Sequence, residues 1–364
     1  MDEERRKILT MLKNGEITID EANALLEELE QIQTEKTRKE DHVVYEVNPT
    51  LHVEYDSPRQ EEKSFIESAT DKLTNLFDQA LKKLKDLDLD FYHSVEVDHV
   101  FQTNDTDFKD ISVRIPFGSV AIATWDAAEV RAECKGKVYR TEDHTEGKEK
   151  FLESVELANK GQVLSLVSKD KWMKIDVVLY VPRKDYKNIY VKLLNGDITV
   201  EHLQADDWKL NSANGKIRLT GTSGVEGELE TVNGIIMVTN SDFHELEAET
   251  VNGKINIDGS FKKVDLKTIS GTINAAIKNN DVDTVRMESA TGAIYLDIPE
   301  NIPLFGEVKS NLGSFFVELA DVHITDIKKE PIQKVSKFER GEQQENKLFI
   351  FAESKTGSIF VKEW

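Results

Sequence analysis

Glycine recurs in the second half of this 364-residue chain at an interval that hardly varies. Gly196, Gly215, Gly234 and Gly253 are each 19 residues apart, and each follows an asparagine: Asn195, Asn214, Asn233 and Asn252. Looser copies of the same pattern carry Gly271 and Gly292, and two more read N-L-G-S-F-F-V (311–317) and K-T-G-S-I-F-V (355–361). A period of about 20 residues means that each copy is one supersecondary unit that cannot bury its apolar face alone, so copies must stack. Stacked repeats make surfaces more readily than they make enclosed reaction chambers.

Counted from the glycine, position +2 is Ile198, Ile217, Ile236 and Ile255, and position −5 is Val191, Leu210, Leu229 and Ala248. Rows of this kind must face a core. Position −3 is a hydroxyl (Ser212, Thr231, Thr250, Thr268), suited to bonding backbone groups at a corner. Position −4 (Asn211, Glu230, Glu249, Lys267) reads as a solvated row. The glycine supplies positive φ at the corner, and the four asparagines should stack as a ladder. Asn-Gly between alternating strands is also a strong hairpin signal, so an antiparallel meander remains the alternative. Residue types that repeat row by row favour a mainly β fold built as a parallel β-solenoid.

The rest of the chain divides by pattern. Residues 1–32 read as a helical hairpin, with Ile8, Leu9, Met11 and Leu12 on one face and a Thr18/Glu21 capping box opening the second helix. Residues 33–61 form a linker with short strands, and 62–90 an amphipathic helix. The repeat domain spans 94–364, with an early copy at Phe117-Gly118-Ser119, strand stops at Pro116 and Pro182, and a charged insertion loop at about 322–347.

A net charge of −21 argues against nucleic acid as a partner, because neutralising phosphates needs clustered Lys and Arg. One cysteine, Cys134, excludes an internal disulfide framework. The charged start lacks an apolar signal region, so the expected compartment is the cytoplasm, with membrane association through residues 62–88 as the variant. No nucleotide, nucleophile-elbow or zinc motif is present, and the eight histidines are scattered; no catalytic residue, cofactor or metal is expected.

Two surfaces stand out. Glu228 and Glu230 should lie beside Glu247 and Glu249 as an acidic patch, flanked by Lys209 and Lys267. A plain charged face, a cation site and a glycan-active β-helix centre are its alternative readings. The outward +3 row turns aromatic toward the C-terminus, through Tyr295, Phe316 and Phe360, with Phe351 and Trp364 in the same terminal copies. That is a candidate surface for a protein partner or a second copy of the chain, unless residues 62–88 or 322–347 cover it.

The run V-P-R at 181–183 followed by strand-Asn-Gly-strand units resembles the bacterial β-strand-repeat family of adhesin type. K-N-G-E-I-T-I-D-E-A at 13–22 is similar to the short helical domain that precedes such repeats in Gram-positive bacteria. Together they resemble LiaX-type proteins and shorter relatives linked to envelope stress. The resemblance implies a right-handed β-solenoid and a non-enzymatic interaction or scaffold role in the envelope-stress response, with a surface adhesin binding glycan or matrix as the alternative.

Overall fold

The structure is a computed structural model that describes residues 93–329, 334–341 and 347–364. The chain divides into two units, Met1–Glu62 and Lys63–Trp364, and every described residue belongs to the second. The helical hairpin (1–32), the linker (33–61) and the amphipathic helix (62–90) lie outside the described residues.

The first segment holds strands β1 (Ser94–Thr103), β2 (Asp110–Phe117), β3 (Val120–Trp125) and β4 (Val130–Tyr139), then helix α1 (His144–Ser154) and strands β5 (Val155–Asn159), β6 (Val163–Ser168) and β7 (Met173–Pro182). The repeats follow as β8 (Asp185–Asn195), β9 (Ile198–Glu201), β10 (Gln204–Asn214), β11 (Ile217–Thr220), β12 (Ser223–Asn233), β13 (Ile236–Asn252), β14 (Ile255–Ser270), β15 (Ile273–Ile277), β16 (Thr284–Thr291) and β17 (Ile294–Ile298). Last come β18 (Leu304–Ser310), β19 (Phe315–Glu318), β20 (His323–Lys329), β21 (Lys334–Arg340), β22 (Leu348–Ser354) and β23 (Ile359–Glu363).

The residues just before and just after each Asn-Gly corner do not pair with each other; each stretch pairs with its equivalent in the neighbouring coils, and β13 and β14 each run through both ladders. β10 pairs in parallel with β8 and β12, while β11 pairs in parallel with β9 and β13. Each copy is therefore a coil with one strand in each of two parallel ladders, and the chain is a β-solenoid rather than a meander. Antiparallel pairing occurs where the ends are finished: β1 on β4, β4 on β7, β5 on β6, β21 on β18 and β20 on β21. Val191, Leu210, Leu229, Ala248, Leu266 and Met287 stack as one fully buried row, facing Ile198, Ile217, Ile236, Ile255, Ile273 and Ile294. Rows this dry drive the stacking, since removing a large buried side chain costs about 2–5 kcal/mol.

The coils do not stack in the order of the sequence. β22 and β23 sit between β16/β17 and β18/β19, so the last coil is threaded back into the stack. At the opposite end β2 and β3 lie between β6/β7 and β8/β9. The glycine column records the same order. A Cβ on Gly253 would collide with the carbonyl of Gly234, one on Gly357 with that of Gly292, and one on Gly313 with that of Gly357.

This revises the reason for the glycines. Gly196 does have positive φ (145°), but Gly253 is not among the positive-φ glycines and still has no room for a side chain. Close approach of successive corners, more than the dihedral, requires glycine. The segment expected as an insertion loop, 322–347, instead supplies the hairpin β20–β21, which extends the first ladder beyond β18. Pro116 does not stop its strand: β2 runs on to Phe117.

Candidate functional site

The corner holds itself together from coil to coil. Ser212 Oγ donates to the Gly196 carbonyl (2.9 Å), Thr231 Oγ1 to Gly215 (3.0 Å), Thr250 Oγ1 to Gly234 (3.3 Å) and Ser354 Oγ to Gly292 (2.9 Å). Asn233 Nδ2 donates to Asn214 Oδ1 (2.8 Å) and Asn252 Nδ2 to Asn233 Oδ1 (3.0 Å). Asn195 lies at the head of the same register column, beside Asn214. Gly271 and Gly292 continue the glycine column without an asparagine before them.

On the outer face of the second ladder, threading brings Tyr295, Phe360 and Phe316 into adjacent register. Tyr295 stacks on Phe360 with ring centroids 4.8 Å apart, and Phe360 on Phe316 at 4.9 Å. The two end rings stay open, Tyr295 40% and Phe316 47% exposed. A shallow groove of about 440 Å³ leads to Tyr295 past Met237, Asn256 and Asn274. Hairpin β20–β21 extends the other ladder, so it is not a continuation of this one.

β19 pairs with β23 and with no other described strand. The Ile359 N–H donates to the Ser314 carbonyl (2.9 Å). In a parallel ladder the backbone groups of Phe316 and Glu318 then point the same way, leaving those of Phe315 and Val317 aimed at the free edge. Leu312, just before the strand, is 76% exposed. The other two residues of the expected aromatic surface lie elsewhere. Phe351 is on the first ladder between the Arg286 guanidinium (5.0 Å) and the Lys309 ammonium (4.8 Å). Trp364 is exposed and donates from Nε1 to the Ile277 carbonyl (3.1 Å).

The four glutamates do come together, Glu228 opposite Glu247 and Glu230 opposite Glu249. Lysines occupy them. Lys209 Nζ reaches both Glu228 oxygens (2.6 and 2.5 Å), and Lys267 Nζ lies 3.4 Å from Glu247, 3.2 Å from Glu249 and 2.9 Å from Asp265. The row expected to be solvated is largely covered, with Glu249 only 8% exposed. Burial, reinforced by the Glu228 charge, pushes the Glu230 carboxyl up to about 7. Burial also raises Glu249, partly offset by Lys267. Among the described residues no group of three or more His, Cys, Asp or Glu is placed to hold a metal ion. Among them, too, no helix is long and apolar enough to cross a membrane.

Two features escaped the sequence pattern. Helix α1 has a single fully buried side chain, Phe151, and no apolar stripe; its signal was Asp143, whose carboxylate caps the N–H groups of Thr145 (2.6 Å) and Glu146 (3.3 Å). Buried Arg340 ties the last coils together, donating from Nε to the Ile302 carbonyl (2.9 Å), from Nη1 to the Ala320 carbonyl (3.1 Å) and to the Glu363 carboxylate. No local pattern announces a bond between β21 and the end of β23.

Residues 3–33 match a SHOCT-like domain. The Bacillus subtilis (strain 168) protein YvlB, itself uncharacterized, is 37% identical over 368 residues, covering 100% of this chain and 99% of that protein. Among solved structures, a candidate lipid-binding protein from Parabacteroides distasonis aligns with a TM-score of 0.41 at 12% identity, covering 74% of this chain and 97% of the other. A candidate adhesin from Bacteroides fragilis aligns with a TM-score of 0.36 at 11% identity, covering 73% and 97%. Residues 104–360 match the Toastrack DUF4097 family from the first inserted coil to the last, and the chain belongs to that family.

Proposed function

We propose that this protein is a non-enzymatic binding scaffold of the bacterial envelope-stress response, acting from the cytoplasm through the C-terminal end of a right-handed solenoid. Its partner is an extended protein segment that adds as a strand to the free edge of β19. The observation that carries this reading is the ending of the Tyr295–Phe360–Phe316 ring stack on β19, a strand paired on one edge only among the described strands. An open edge offers backbone hydrogen bonds, and an exposed ring beside it offers a place for an aromatic or arginine side chain of the added strand. Residues 62–88 would bring the scaffold to the membrane surface.

Site-specific photo-crosslinking in cells tests the reading. A benzophenone side chain at position 312 or 316 is expected to form protein adducts, and one at position 199, on the same face near the opposite end, is not. Equal adducts from all three positions, or none from 312 and 316, would sink it. An adduct of twice the chain mass would replace the heterologous partner with a second copy.

A further inference from the structure

One row on the first ladder runs, in the order of the stack, Arg114, Lys192, Asn211, Glu230, Glu249, Lys267, Glu288, Glu353 and Lys309; it is covered in its middle and exposed at Arg114 and Lys192. Its cations behave in two ways. Lys267 is clamped by three carboxylates, and Lys309 is 2.6 Å from Glu307. Arg114 and Lys192 are direct register partners on neighbouring strands, and neither forms an ion pair among the described residues. Arg114 instead has its guanidinium 5.3 Å from the centre of the Tyr190 ring.

Like charges placed opposite each other on adjacent strands repel. This pair exists because β2 is threaded in beside β8. In a chain of net charge −21, carboxylates to neutralise it were plentiful.

The two cations open onto a half-open surface cavity of about 760 Å³ between the first ladder, helix α1 and the β6–β7 connection. Lys171 on that connection adds a third cation without an ion pair among the described residues. Lys150 and Lys169 complete the rim, each shared with a glutamate outside the cavity: Glu146 at 2.6 Å and Glu156 at 3.4 Å. Five cations thus face two carboxylates, Glu153 and Asp170. Asp170 is already engaged in its turn, accepting from the Trp172 N–H (2.9 Å).

Apart from Ser154 and Ser168, the remaining walls are apolar, among them Ile115, Phe117, Trp172, Leu193 and Leu194. The Arg140 guanidinium lies over the Trp172 indole, 3.2 Å from its centre. A cavity of this size with apolar walls and a few convergent charges has the make-up of a small-molecule site. We infer that it binds an organic phosphate: an anionic head between Arg114, Lys192 and Lys171, and an apolar body against Phe117, Trp172 and Leu194. Arginine and lysine together suit a phosphate, the first by its fork of donors and the second as a point charge. The site lies at the end of the stack opposite to the aromatic edge and is independent of it.

Isothermal titration of the full chain with n-octyl phosphate, inorganic phosphate and octyltrimethylammonium tests the inference. Octyl phosphate should bind one per chain, inorganic phosphate about tenfold more weakly or less, and the cation not at all. Lys192→Glu places a carboxylate opposite Arg114. It is expected to weaken octyl phosphate about tenfold or more while leaving the melting temperature equal or higher, which separates lost binding from lost folding. Sedimentation with phosphatidylglycerol vesicles adds the source: binding to vesicles as well puts the phosphate on a lipid, and binding to octyl phosphate alone on a soluble compound, and both sustain the site. No octyl phosphate binding, unchanged affinity in Lys192→Glu, or equal affinity for the cationic amphiphile would overturn the inference.

Discussion

Tyr295 and Phe360 lie face to face, their ring centroids 4.8 Å apart and their planes 5° from parallel, although strands β18 to β22 separate them in the chain. The contact follows from the last coil being inserted between two earlier ones. It turns a row that looks like a gradual aromatic drift in sequence into three rings in register, ending at an open edge.

The threaded order can be tested covalently. Asp297 is the register partner of Lys362, which in turn partners Glu318. Neighbouring parallel strands place such Cα atoms about 4.8 Å apart, within disulfide reach, whereas strands two apart are about 9.6 Å away. A double substitution Asp297→Cys with Lys362→Cys should therefore oxidise to a disulfide, read by mass. Asp297→Cys with Glu318→Cys should stay reduced, and the reverse outcome would mean that the coils stack in sequence order. The native Cys134 is buried and should not compete.

The glycine column makes a sharper distinction than stability alone. Gly253→Ala puts a methyl group into the Gly234 carbonyl, and we expect a loss of about 3 kcal/mol in denaturant unfolding. Gly161→Ala meets nothing within 4 Å, but its φ of 61° disfavours a side chain, so about 1 kcal/mol is expected. If Gly161 were the costlier position, backbone dihedral rather than contact between corners would be the governing constraint.

Thr250→Val keeps the shape of a fully buried side chain and deletes the hydroxyl that donates to the Gly234 carbonyl at 3.3 Å. A decrease of about 1 kcal/mol is expected, since the carbonyl keeps its place but loses a partner. No change would mean that the hydroxyl row serves size rather than bonding.

These three cases show what the sequence made legible. The 19-residue period located the corner, the inward rows and the hydroxyl row, because each copy repeats the same local chemistry. It could not show the order of coils, because Phe315-Phe316-Val317 and Ile359-Phe360-Val361 are equivalent as local patterns and only packing at the ends decides which lies inside. For the same reason Arg114 and Lys192 gave no warning of their pairing: they belong to copies separated by strands β3 to β7 and helix α1. The acidic patch was legible in position but not in character, since Lys267 reaches Glu247 and Glu249 from the adjacent coil.

Glu230 should make stability depend on pH. Its folded carboxyl titrates at about 7, above the usual carboxylate value of 4.5. The folded chain then holds a proton that the unfolded chain has released, so its contribution is fully present below pH 4.5 and is lost as pH rises through 7. Glu230→Gln removes that loss. It should raise the unfolding free energy by about 1 kcal/mol at pH 8, after allowance for solvent screening of a partly exposed group, with little difference at pH 4. A gain at pH 4 that disappears at pH 8 would reverse the assigned sign.

The free edge of β19 is the claim on which the binding function rests, and amide hydrogen exchange of the full chain measures it directly, residue by residue. Phe315 and Val317 should exchange rapidly while Phe316, Glu318 and the β23 amides facing β17 and β19 are protected. Strong protection at Phe315 and Val317 in the isolated chain would show that the edge is already paired, and the docking account would fail.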